Sequence, residues 1–283
     1  MARALSQCVE AVAADGCQFP SMISDWRSRF ATPWAGTPHE LTFLFVGLPA
    51  YVQDLPSVPY DGKVDTSLPL LRLSQSVASE TLNHTAMTSL IDHGYLFGWH
   101  GSIHPMDKTP VGKRLVLSAR EHAYGERGID SSGPAPTAAK HSGGTLTLSF
   151  DGGLLLRTEG PSRQQCPLGQ KQISGNPTAD TVPQSQCGPA TGFSVSVAAA
   201  ASGEAGEVVW HDIVSMELGP DRKSLALTLP AEVAEAEAAP QKLRYLFADW
   251  PTPTVYSATS FLGLNGELPT PPFEMAISSS FLG

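Results

Sequence analysis

Residues 43–48 read Phe-Leu-Phe-Val-Gly-Leu, six apolar-rich residues closed by Pro49. A continuous apolar run of this length between turn signals suits a strand covered on both faces, as in a parallel sheet. Parallel neighbours need crossover helices, so the flanks decide the fold. Upstream, residues 19–30 (FPSMISDWRSRF) put Phe19, Met22, Ile23, Trp26 and Phe30 on one face of an amphipathic helix. Downstream, residues 70–80, just after Pro69, read as a second helix, and 87–91 (MTSLI) as a short strand that stops at Asp92. Residues 109–124 form the best helix: Val111, Leu115, Ser118, Ala119 and His122 trace one stripe, and Gly125 stands at the C′ position. Strand–helix–strand–helix order predicts βαβ units.

The chain changes character near residue 140. Short alternating segments take over at 145–150 (TLTLSF), 153–157, 193–197 (FSVSV), 208–216, 224–229 (SLALTL) and 243–250 (LRYLFADW), separated by Gly and Pro clusters. That pattern predicts an antiparallel β-sandwich. Residues 232–239 (EVAEAEAA) read as an insertion in it, a short acidic helix or a disordered loop, with the loop favoured. The expected fold class is therefore α/β, with a domain over 1–135 and a β-rich domain over 136–283.

At 283 residues the chain has room for one large domain or two small ones and can bury a core without a structural metal. Charged residues are only 16%, and the net charge is −9. An acidic chain poor in Lys and Arg is a weak binder of phosphate backbones, so no nucleic-acid partner is expected. The 26 Gly and 24 Pro favour many turns over a helical bundle. No apolar run approaches the ~18 residues of a membrane span, so no membrane partner is expected. The start, MARALSQCVE, does not read as a signal peptide. Of the four cysteines, Cys8, Cys17, Cys166 and Cys187, the last two bracket a polar stretch. Two readings stand for them: a disulfide closing a long loop in an oxidising compartment, or free thiols.

Histidines titrate near neutrality and lead the search for chemistry. Of eight, His104 stands out, in Gly101-Ser102-Ile103-His104-Pro105 between a strand end and the best helix. Loops at the C-terminal ends of parallel strands carry the sites of such sheets, and Pro105 fixes the backbone beside the imidazole. Asp92 and Asp107 are the nearby carboxylates able to orient it; Asp107-Lys108-Thr109 also reads as a helix cap. The spacing of His93, His100 and His104 matches no common ligand set, so neither metal nor cofactor is expected. No Gly-x-Ser-x-Gly or Ser-x-x-Lys nucleophile motif occurs.

The segment Gly101-Ser102-Ile103-His104-Pro105-Met106-Asp107-Lys108, with Val111-Gly112-Lys113-Arg114-Leu115 and Ala119-Arg120-Glu121-His122-Ala123-Tyr124-Gly125, strongly resembles the sialate O-acetylesterase family. Further pieces agree in order: residues 19–27, 43–49 and 70–75, then Leu243-Arg244-Tyr245 with Trp250-Pro251, and Leu268-Pro269-Thr270-Pro271-Pro272-Phe273. The family comprises SGNH-type serine esterases that remove acetyl groups from sialic acids or related carbohydrates. The resemblance implies a partial SGNH-type parallel sheet before the β-sandwich, His104 as the catalytic histidine and Ser6 as the nucleophile. Ser6 lies in Ala4-Leu5-Ser6-Gln7, without the Gly, Glu and Asn that surround the family's serine. The family's upstream half is missing, which implies a fragment of a longer esterase, with a complementing N-terminal half as a candidate partner. The implied substrate is an O-acetylated sialic acid or another acetylated carbohydrate. The implied location is secreted or lysosomal. The alternative is an inactive fragment, or a glycan- or partner-binding protein, of the same fold.

Overall fold

The computed structural model describes residues 15–30, 41–51, 67–95, 104–157, 187–198, 208–236, 239–261, 264–265 and 268–279. Ser6, His100 and residues 101–103, all named above, lie outside them.

The first part is a βαβ unit followed by a helix. Helix α1 (Asp15–Phe30) leads to strand β1 (Phe43–Val46), helix α2 (Ser67–Thr81), strand β2 (Thr85–Thr88) and helix α3 (Thr109–His122). β1 and β2 run parallel, Phe43 opposite Thr85 and Val46 opposite Thr88. The strand anticipated over 43–48 ends at Val46: Gly47 N still bonds Thr88 O, and Leu48 N turns to Gln75 Oε1 on α2. α1 begins earlier than its apolar stripe suggests and contains Pro20. Its buried arginine, Arg27, donates from Nε to Leu41 O and from Nη2 to His84 O and Thr85 Oγ1, pinning the helix to the starts of both strands. Of the stripe anticipated on α3 only Ser118 is buried; Arg114 and Leu117 face inward beside it, and Val111, Leu115, Ala119 and His122 are half-buried. Ser118 Oγ meets Thr88 Oγ1 at 3.0 Å, so this face docks on β2 through polar as well as apolar atoms.

The second part opens on a strand that the sequence pattern does not single out, β3. β3 (Pro136–Ser142), β4 (Thr145–Phe150), β8 (Ser215–Leu218), β9 (Ser224–Thr228) and β15 (Ser278–Ser279) make a five-stranded sheet in the order β15-β3-β4-β9-β8. β6 (Phe193–Ala198), β7 (Val208–Asp212), β10 (Lys242–Tyr245) and β14 (Phe273–Ala276) make a four-stranded sheet in the order β14-β10-β6-β7. β5 (Leu154–Leu156) pairs with β11 (Val255–Ser257), and β12 (Ser260–Phe261) with β13 (Leu264–Asn265). Leu146, Leu148, Leu225 and Leu227 from the larger sheet and Phe193, Val195, Leu243 and Tyr245 from the smaller belong to one buried cluster. Each set alternates along its strands, as burial of one face requires.

Two anticipated segments are corrected, and the acidic one takes its helical alternative. The run 208–216 is two strands in different sheets, because buried Ile213 lies between them and redirects the chain. The run 243–250 stops being a strand at Tyr245, since Leu246 has φ of +59°, which a strand cannot accommodate. The acidic segment opens with a helical turn, α4 (Ala231–Ala234), anchored by buried Val233. Cys17 and Cys187 are both disulfide-bonded, which removes the free-thiol reading for these two; Cys8 and Cys166 lie outside the described residues. Among the described residues no helix is long and apolar enough to cross a membrane.

Candidate active site

The C-terminal ends of β1 and β2 are each held by an arginine from the helix that follows. After β1, Gly47 N donates to Thr88 O and Leu48 N donates to Gln75 Oε1 on α2. Arg72, also on α2 and 2% exposed, donates to four carbonyls: Leu48 O at 3.2 Å, Pro49 O at 2.7 Å, Ala248 O at 2.6 Å and Asp249 O at 2.9 Å. One guanidinium thus ties the turn after β1 to the loop after β10. Burial pulls the Arg72 pKa down to about 10, against the opposing charge of Asp249. Four accepted hydrogen bonds compensate a cation that would be costly to bury alone.

After β2, Arg114 on α3 plays the equivalent part. Its Nη1 donates to Ser89 O, and its two terminal nitrogens each meet an oxygen of Asp92 at 2.8 Å. Burial, the largest influence on the Asp92 carboxyl, pushes its pKa up. The charge and hydrogen bonds of Arg114, with His93 nearby, outweigh it and hold the group below the usual carboxylate value. The sequence offers Asp92 as a partner for His104. In the structure its hydrogen bonds go to Arg114, so its observed work is to fix the turn after β2.

His104 itself is exposed, with Pro105 behind it buried, five residues before α3 begins. Asp107 Oδ1 accepts the backbone N–H of Thr109 at 2.8 Å, the cap anticipated from Asp107-Lys108-Thr109. Hydrogen bonding from the Thr109 side chain, and after it from the Thr109 backbone, holds the Asp107 carboxyl below its ordinary value, with His93 and Lys113 adding to it. His93 approaches a carboxylate: its Nε2 lies 3.9 Å from Asp92 Oδ1. At the other strand, a cavity of about 450 Å³ opens between α1 and α2, lined by Gln18, Phe19, Met22, Leu71 and Gln75. Since Gln75 also binds Leu48 N, this cavity abuts the C-terminal end of β1.

Three structural arginines escaped the sequence reading: Arg72, Arg114 and Arg244. The signal was present, since each is a charge set among apolar neighbours (LLRLS, KRLVL, LRYLF), where a cation survives only with internal partners.

No family model matches the chain. Comparison with curated proteins finds the sialate O-acetylesterase of Mus musculus, 35% identical over 143 residues, covering 48% of this chain and 25% of that protein. The sialate O-acetylesterase of Homo sapiens is 34% identical over 125 residues, covering 42% of this chain and 23% of that one. The chain is similar to the sialate O-acetylesterases over a little under half of its own length. It spans about a quarter of the length of these curated relatives. Among solved structures, a carbohydrate acetylesterase from Xanthomonas citri superposes with a TM-score of 0.58 at 24% identity, covering 93% of this chain and 46% of that one. The mixed architecture, few helices and several antiparallel sheets, is thus shared with that structure along nearly the whole of this chain.

Proposed function

We propose that the chain belongs to a carbohydrate esterase that removes O-acetyl groups from sialic acids or related sugars, with His104 as general base and Ser6 as nucleophile. In this reading residues 1–135 are a partial SGNH-type domain and 136–283 a β-sandwich domain. The observation that carries it is the placement of His104: exposed, just before α3, in the connection that follows the C-terminal end of a parallel strand.

A serine hydroxyl is a weak nucleophile at its own pKa and needs a base beside it. The His104 imidazole takes the Ser6 proton as Oγ attacks the acetyl carbonyl. The tetrahedral intermediate collapses, and the sugar oxygen leaves with the proton from the imidazolium. Water, deprotonated by the same ring, then attacks the acetyl-serine, releasing acetate and restoring the hydroxyl. The arginine-fixed turns after β1 and β2 supply a rigid frame for such a site, and the cavity beside β1 lies at the same edge.

The test is acetate release from 4-nitrophenyl acetate and from an O-acetylated sialic acid, before and after His104→Ala and Ser6→Ala. Each substitution is expected to lower the rate by roughly 100–10,000-fold, the usual contribution of a positioned base. Unchanged rates in both overturn the assignment. The altered surroundings of Ser6 favour a second reading, a glycan-binding protein of the same fold. Sugar binding without turnover, insensitive to Ser6→Ala, is its signature. Turnover that appears only on mixing with a chain carrying the family's upstream half identifies that half as the partner.

A further inference from the structure

Arg244, in β10, has both faces of its guanidinium covered. Its central carbon lies 4.0 Å from the ring centroid of Trp210 and 4.3 Å from that of Phe247. Arg244 stands opposite Glu274 on β14 and Ser194 on β6, and Ser194 stands opposite Asp212 on β7. These four residues form one row across the sheet, on the face away from Leu243 and Tyr245 in the core. The two carboxylates are engaged with other groups: Glu274 Oε1 accepts from Lys242 Nζ at 2.8 Å, and Asp212 Oδ1 from Ser194 Oγ at 3.0 Å. They reach Arg244 only through space. Burial, the larger effect, pulls its pKa down to about 10 despite them. Its Nε is buried without a hydrogen-bond partner.

A cation stacked on both faces can be met only in its own plane, where its N–H donors project. Stacking also fixes the rotamer, so little freedom is lost on binding. The in-plane partner that matches a guanidinium fork is a planar carboxylate, which accepts two parallel hydrogen bonds. One wall of the stack, Phe247, directly precedes Ala248 and Asp249, whose carbonyls Arg72 ties to Leu48 and Pro49. The stack is therefore fastened to the same turn that ends β1.

We infer that the Trp210–Arg244–Phe247 stack is a binding subsite for the carboxylate of an acidic sugar. That the sugar is also the substrate rests on the esterase reading; the subsite itself does not. A neutral acetylated sugar has no carboxylate to accept two parallel charge-assisted bonds, so the subsite selects acidic over neutral carbohydrates.

The test is titration of the full chain with N-acetylneuraminic acid and with its carboxyl methyl ester, followed by saturation-transfer NMR. The acid is expected to bind at least ~10-fold more tightly than the ester, a carboxylate accepting two charge-assisted bonds that the ester cannot. Arg244→Met, which keeps apolar packing between the rings, abolishes acid binding; Arg244→Lys, which keeps charge but loses the fork, weakens it about 10-fold. Melting curves of both variants show whether they remain folded, and the acid–ester comparison on the unaltered chain stands without them. Equal binding of acid and ester, no binding of either, or acid binding that survives Arg244→Met in a folded chain overturns the subsite. Acid-selective binding in a chain that hydrolyses no acetate ester leaves the subsite standing and removes the esterase. Hydrolysis without acid selectivity does the reverse.

Discussion

Arg114 lays its two terminal nitrogens on the two oxygens of Asp92, each at 2.8 Å, with the side chains only 1% and 8% exposed. The pair locks α3 to the turn after β2. Removing one partner strands a buried charge, so Arg114→Met is expected to cost about 3–5 kcal/mol. Replacing both with apolar residues, Arg114→Met with Asp92→Leu, is expected to cost much less than the sum of the single changes, since no lone charge remains. Urea unfolding of the three variants measures this; additive losses would mean that the two residues act separately.

The same pair gives stability a pH dependence. Asp92 has its folded-state pKa lowered below the ordinary carboxylate value of 3.8, so its contribution is fully present above that value. It is lost as pH falls from there through the lowered folded-state pKa, because the unfolded chain binds the proton more readily. The Asp92→Leu, Arg114→Met double variant is expected to show a shallower acid limb in melting temperature against pH. An identical limb would place the acid sensitivity elsewhere.

Arg72 holds carbonyls from two distant parts of the chain, 48–49 and 248–249. Lysine keeps the charge but cannot span four acceptors in a plane. Arg72→Lys is expected to cost about 3 kcal/mol, the scale of losing two charge-assisted bonds. Its fingerprint is local: hydrogen exchange should speed up at Tyr51 N, which donates to Asp249 O, while amides of the five-stranded sheet stay protected. Uniform acceleration in both regions would contradict the clamp.

Tyr245 Oη accepts the backbone N–H of Thr254 at 2.8 Å and of Val255 at 2.9 Å, inside the core. Tyr245→Phe preserves the ring but leaves two buried donors unsatisfied, with an expected cost of about 2 kcal/mol or more. A melt within ~0.5 kcal/mol of the unaltered chain would show that other acceptors replace the hydroxyl.

The sequence is most readable where one physical demand dominates. Thr145–Phe150 alternates because one face is buried and the other is not, and that strand stands where the pattern puts it. Thr109 starts α3 because Asp107 caps it and Pro110 suits the first turn. The pattern misleads where tertiary demands override it. Pro136–Ser142 carries no strong alternation, yet it is a strand because β4 and β15 pair with its two edges. The buried face of α3 turns on Arg114, whose partners sit 22 and 25 residues away and leave no local trace. At the candidate site, the Asp107 cap is legible from Asp107-Lys108-Thr109. The commitment of Asp92 to Arg114 is not, because sequence proximity to His104 says nothing about which partner a buried carboxylate takes.

The central claim, a serine activated by His104, is tested most directly by covalent labelling. The full chain is treated with a fluorophosphonate, which phosphonylates activated serines, and digested for mass spectrometry. The account predicts one adduct, on the peptide carrying Ser6, and its loss in His104→Ala. An adduct on another serine, or labelling of Ser6 that persists without the imidazole, would contradict it.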